Sequence, residues 1–79
     1  MDDTEVFAAV RAGIAEVLPE VRPDEVDIDG TLTDLGANSI DRAEIVTLAM
    51  QRLGVTVPVA EFRDVHDLRS LVDLLAKHA

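Results

Sequence analysis

The chain has no cysteine, tryptophan or tyrosine, and phenylalanine occurs only twice, at Phe7 and Phe62. Without cysteine there can be no disulfide, no thiolate nucleophile and no thiolate metal ligand, and the lack fits a reducing compartment. Two aromatics give no platform on which bases could stack. Basic residues are also scarce: seven Lys and Arg stand against sixteen Asp and Glu, for a net charge of −9. Nucleic-acid binding depends on cations that neutralise phosphate, so this balance argues against it. An acidic surface suits basic protein partners through electrostatic steering, and equally keeps a small domain soluble. No apolar run is long enough to cross a bilayer, and the N-terminus is acidic where a secretory signal would be basic. We therefore expect a complete cytoplasmic protein with no membrane partner.

What remains is 79 residues, 48% of them apolar. That length makes one domain, 1–79, whose small core depends on tight helix packing. Thr4 or Asp3 can cap a first helix in which Val6, Val10, Ile14 and Val17 recur at helical spacing, with Phe7 and Leu18 beside them. Pro19 closes it. Gly13 inside it costs about 1 kcal/mol against alanine, a cost that reflects either close packing or nothing structural. Residues 19–38 form a long connection, and connections of that length in a compact domain are usually functional. Val26, Ile28, Leu32 and Leu35 along it should pin it to the core. Asn38 or Ser39 caps a second helix running to about Leu53, with Ala43, Val46, Ala49, Met50 and Leu53 on its inner face and Gly54 as its stop. "VTVPV" has no strand to pair with and reads as an extended linker. A short helical turn covers Val59 to Arg63. A last helix starts near His66 or Asp67 and turns Leu68, Leu71, Val72 and Leu75 inward. The fold class is all-α: three main helices and one short one, with a long loop between the first and second.

The stretch "VDIDGTLTDLGANSID", residues 26–41, admits three chemistries. Asp27, Asp29 and Gly30 resemble part of a calcium loop. With Gly30 in its sixth position, however, that loop would end at Gly36, where a bidentate glutamate is required. Acidic turn residues accepting backbone N–H bonds account for them better. "DIDGTLTD" also resembles the nucleophile motif of haloacid-dehalogenase-type phosphatases. No buried strand precedes it, the only lysine is Lys77, and the chain cannot build a doubly wound sheet. Ser39 remains. A serine at a helix start is most often a cap. This one follows the small residues "GAN", which leave the hydroxyl open to another protein's active site. It also opens a helix whose free N–H groups and positive dipole end favour an attached phosphate. No base lies near it in sequence, and His66 and His78 read as solvated surface residues, so Ser39 looks like a residue acted upon by another protein.

"DLGANSIDRAEIV" resembles the acyl carrier proteins, and the resemblance extends over nearly the whole chain, through "VTVP" to "LRSLVDLLAKH". It implies a four-helix bundle, a carrier that is not an enzyme, and 4′-phosphopantetheine attached covalently at Ser39 by a phosphopantetheinyl transferase. The commonest pattern in that family is Asp-Ser-Leu; here it is Asn38-Ser39-Ile40, and Arg42 interrupts an otherwise acidic helix face that keeps Asp41 and Glu44. "GANSIDRAEI" further resembles the free-standing donor carriers of polyketide β-branching cassettes. That implies an acetyl, or sometimes propionyl, cargo loaded by an acylating enzyme and delivered to a hydroxymethylglutaryl (HMG)-synthase-like enzyme. Asn38, Ile40, Asp41, Arg42 and Glu44 would then face partners. The protein is expected to be a monomer. Two alternatives are a carrier serving a ketosynthase in ordinary fatty-acid or type II polyketide synthesis, and a helical interaction module in which Ser39 is only a cap.

Overall fold

In a computed structural model, which describes residues 2–79, the chain forms three α-helices: α1 (Asp3–Val17), α2 (Ser39–Leu53) and α3 (Leu68–Lys77). The short helix between α2 and α3 is a 3₁₀ segment, Val59–Asp64, one residue longer than expected. Two brief 3₁₀ turns, Pro23–Glu25 and Thr33–Leu35, break up the long connection. The architecture is the expected all-α one, with residues 55–58 in neither helix nor strand between α2 and the short helix.

The cap of α1 lies one residue earlier than expected. The Asp2 carboxylate accepts the Glu5 N–H at 2.9 Å, and Asp3 sits inside the first turn, where its charge favours the dipole. Val6, Val10 and Ile14 are buried at the helical spacing, and Leu18 joins them. α1 packs chiefly on α2. Gly13 makes this approach possible: a Cβ there would stand 3.0 Å from the Ile45 carbonyl oxygen. The helix-propensity cost of that glycine is offset by close contact between the two backbones.

In α2 the inner face is rotated from the expected one. Ile45 and Ala49 are fully buried against α1, whereas Ala43 is exposed and Val46, Met50 and Leu53 are half-buried. The helix carries apolar residues on several sides, so periodicity in the sequence does not select one stripe. The partner helix does, through the opening at Gly13. In α3 the pattern holds without correction: Leu68, Leu71, Val72 and Leu75 are all buried.

The long connection is tied down at both ends and in the middle. Leu32 and Ala37 are buried, and Val26, Ile28 and Leu35 are half-buried. Two N–H groups at the start of α3 have no partner within their own helix, and they donate to this loop: Leu68 to the Gly30 carbonyl at 2.9 Å and Arg69 to the Ile28 carbonyl at 2.8 Å. The acidic turn residues complete the attachment. Asp27 accepts the Asp29 N–H, and Asp29 in turn pairs with the Arg69 guanidinium at 2.9 Å, which raises the arginine's pKa.

Two consequences are measurable. Ile45→Ala should cost about 2–5 kcal/mol in urea unfolding, as for a buried aliphatic residue, while Ala43→Ser should stay within about 0.5 kcal/mol. Equal effects would contradict the rotated face. At the start of α3, the Ser70 N–H, with the Ser70 side chain second, holds the Asp67 carboxyl below its ordinary value. A lowered folded pKa means that the contribution of this cap is complete above the unfolded value of about 4 and fades as pH falls through the folded one. Asp67→Asn should therefore flatten that part of the stability–pH curve while the helix persists at neutral pH.

Candidate functional site

The site is the junction where the pinned loop becomes α2. Gly36 turns the chain in the left-handed region (φ 94°), and Ala37 is buried directly after it, anchored by its N–H to the Leu32 carbonyl at 3.1 Å. Asn38 is the cap of α2. Its side-chain oxygen accepts the Asp41 N–H at 2.8 Å, and the Asp41 carboxylate accepts the Asn38 N–H at 3.3 Å. This reciprocal capping box fixes the angle at which the helix leaves the loop. Ser39 is thus the first helical residue rather than the cap, and its side chain, free of capping duty, is exposed.

The other candidates divide by environment. Ile40 is 77% exposed, an apolar side chain standing in solvent beside Ser39. Glu44 is exposed, and Asp41 is partly covered because its carboxylate serves the cap. Arg42 pairs with neither of them. Its guanidinium turns back over the loop, donating to Thr33 Oγ1 at 3.1 Å, to the Ala37 carbonyl at 3.4 Å and to Ser39 Oγ at 3.4 Å. The sequence brings forward Asn38 to Glu44 but not Thr33, nine residues from Arg42, because only the folded loop puts them together.

An open apolar groove of about 390 Å³ begins beside Arg42 and runs between α2 and the short helix, lined by Val46, Met50, Val59, Phe62 and Leu71. The half-buried face of α2 therefore borders a groove, and Val59, 87% exposed, stands at its edge. Beyond it His78 differs from the expectation of a solvated residue: its side chain is 25% exposed, and Nε2 lies 2.9 Å from Glu61 Oε1, linking the end of α3 to the short helix. His66 is exposed, as expected. Among the described residues, no group of three His, Asp or Glu side chains could hold a metal ion.

An exposed hydroxyl at a rigid helix start, beside a guanidinium and hydrogen-bonded to no base among the described residues, suits a group-bearing residue better than a catalytic one. Comparisons with known proteins agree on the class. Residues 8–75 match the family described as "Phosphopantetheine attachment site". The polyketide biosynthesis acyl-carrier-protein AcpK of Bacillus subtilis is 35% identical over 75 residues, spanning 95% of this chain and 92% of that protein. An acyl carrier protein of Campylobacter hominis is 36% identical over 69 residues, 86% of each chain. In the crystal structure of the curacin biosynthetic pathway HMG synthase in complex with acetyl donor-ACP, one chain superposes with a TM-score of 0.87 at 27% identity, covering 98% of this chain and 99% of that one. The chain belongs to the phosphopantetheine-attachment family: it is an acyl carrier protein with covalent 4′-phosphopantetheine, a carrier rather than an enzyme.

Proposed function

We propose that Ser39 is the attachment residue and that the protein is a monomeric acetyl donor, with propionyl as the other candidate cargo, to an HMG-synthase-like enzyme in polyketide β-branching. The observation that carries the first part is the exposed Ser39 hydroxyl on the first turn of α2. The residues around it fit a phosphodiester. The N–H groups of Ser39 and Ile40 have no acceptor among the described residues, the helix dipole presents its positive end, and the Arg42 guanidinium is adjacent. A phosphopantetheinyl transferase would find the hydroxyl exposed and free of capping duty, since the cap is Asn38. When attached, the arm supplies the thiol that holds the acyl group as a thioester.

The donor role rests on two likenesses: AcpK, a polyketide carrier, and the carrier chain bound to the curacin HMG synthase. The chain's own residues support it. The groove between α2 and the short helix is open, and a single acetyl methyl would gain only about 0.8 kcal/mol by burial. Presentation of such a cargo to a partner therefore competes well with storage in the groove. Ile40 and Glu44, exposed on the first turns of α2, form a mixed apolar and acidic contact face beside Ser39. A synthase with a matching apolar pocket and a basic rim would read it, whereas ordinary fatty-acid partners would meet first turns whose acidity is reduced to Glu44, with Asp41 committed to the cap and Arg42 folded over the loop. The large hydrophobic side chains most exposed are Ile40 and Val59, too few for a stable homodimer interface.

Incubation with a broad-specificity phosphopantetheinyl transferase and coenzyme A should add one phosphopantetheine, mapped by peptide mass spectrometry to Ser39. Ser39→Ala should abolish the addition and leave urea stability within about 0.5 kcal/mol of wild type, since Asn38 retains the cap. Modification elsewhere, or none, would overturn the assignment. For the contact face, Ile40→Asp should preserve the fold and the modification while weakening the complex with a β-branching synthase by more than about 1 kcal/mol, the loss expected of an interface anchor. Unchanged affinity in isothermal titration would remove Ile40 from the interface.

A further inference from the structure

Arg42 is an arginine without an acid in a chain rich in acids. Sixteen Asp and Glu are present, and of the six arginines Arg22 and Arg69 pair with carboxylates. Arg11, Arg52 and Arg63 show no such pair either, but Arg42 alone among these four is held by side-chain hydrogen bonds to the loop and to Ser39. Among the described residues, no carboxylate lies within 4.0 Å of the Arg42 guanidinium, although Asp41 is next to it in sequence and Glu44 is two residues on. The Asp41 carboxylate is engaged by the Asn38 N–H instead. The guanidinium is held in place by neutral oxygens alone. Thr33 Oγ1 and the Ala37 carbonyl take Nη1, and Ser39 Oγ is the acceptor for Nη2, two of the three contacts being long at 3.4 Å. The residue is half-buried, so its position is restrained by the loop rather than free in solvent.

A guanidinium fork favours an anion with two oxygens, and its hydrogen bonds to charged acceptors are roughly twice as strong as those to neutral ones. Here the fork is placed, desolvated in part and left without its preferred acceptor, with one nitrogen on the hydroxyl proposed for esterification. We propose that Arg42 is a preset counter-ion for the phosphodiester on Ser39, exchanging its long bond to the hydroxyl for bonds to the free phosphoryl oxygens and so restraining the root of the arm. The proposal rests on the Ser39 assignment above. It gives Arg42 an intramolecular role that does not require a partner to be docked. Thr33 and Ala37 would be positioning residues, holding Nη1 so that Nη2 stays over Ser39.

Two measurements separate this from the assignment on which it rests. Mass spectrometry first establishes modification at Ser39; a chain that cannot be modified there overturns both. On the modified protein, ³¹P NMR reads the phosphodiester directly. The wild-type resonance should be displaced from that of Arg42→Gln, with the difference shrinking as salt is raised, and Arg42→Lys should lie between them, because it restores charge without the fork. The second measurement needs no variant: the ¹⁵N-bound side-chain proton of Arg42 Nε should shift when the unmodified wild-type protein is converted. A shared ³¹P resonance for wild type and Arg42→Gln, with an unmoved Arg42 Nε signal, would overturn the counter-ion. A merely structural arginine would alter stability without moving the phosphorus resonance.

Discussion

The constraint on which the rest of the structure depends is the attachment of the 19–38 connection to the bundle. A segment this long loses much conformational freedom when ordered, at about 1–2 kcal/mol per residue for the backbone alone, and no disulfide restrains it. The structure meets that cost with buried side chains at Leu32 and Ala37 and with the backbone N–H groups of Leu68 and Arg69, which a helix start must satisfy somewhere. Each partner resolves a need of the other: α3 gains acceptors, and the loop gains a fixed path. At the end of that path lies Ser39, whose exposure and orientation are set before any other protein arrives.

α2 then serves three neighbours at once. Ile45 and Ala49 press against α1, where Gly13 admits the Ile45 carbonyl. Val46 and Met50 border the open groove beside the short helix. The first turn carries Ser39 and Ile40 outward. Its charges are divided in the same way. Asp41 is turned inward to complete the cap, Glu44 stays in solvent, and Arg42 folds back over the loop. A row that reads in sequence as one mixed-sign face is, in three dimensions, three separate electrostatic roles.

What the sequence made legible follows from how local each signal is. The stripe of α3 and the α1 positions Val6, Val10 and Ile14 are set by a single helix's period, and both were readable. The carrier fold and the candidacy of Ser39 were readable through the resemblance of "DLGANSIDRAEIV" to a family. The inner face of α2 was not, because apolar residues surround that helix and the choice of Ile45 over Ala43 belongs to α1. Gly13 was the one trace of it, a costly residue whose reason lay thirty-two positions away. The acceptors of Arg42 and the Glu61–His78 link are likewise tertiary. Thr33 and Ala37 meet Arg42 only once the loop is folded, and the histidine meets its carboxylate across seventeen residues.

The central claim is that this carrier donates a short acyl group to a β-branching synthase, and transfer of that group tests it most directly. The chain would be modified, loaded with acetyl and mixed in single turnover with an HMG-synthase-like enzyme, and separately with a fatty-acid ketosynthase. Intact-protein mass spectrometry would follow the acetyl on both proteins of each pair. The account predicts rapid loss of acetyl from the carrier with matching gain on the synthase, and much slower transfer to the ketosynthase. Equal transfer to both, or transfer to the ketosynthase alone, would contradict it and make the chain an ordinary biosynthetic carrier.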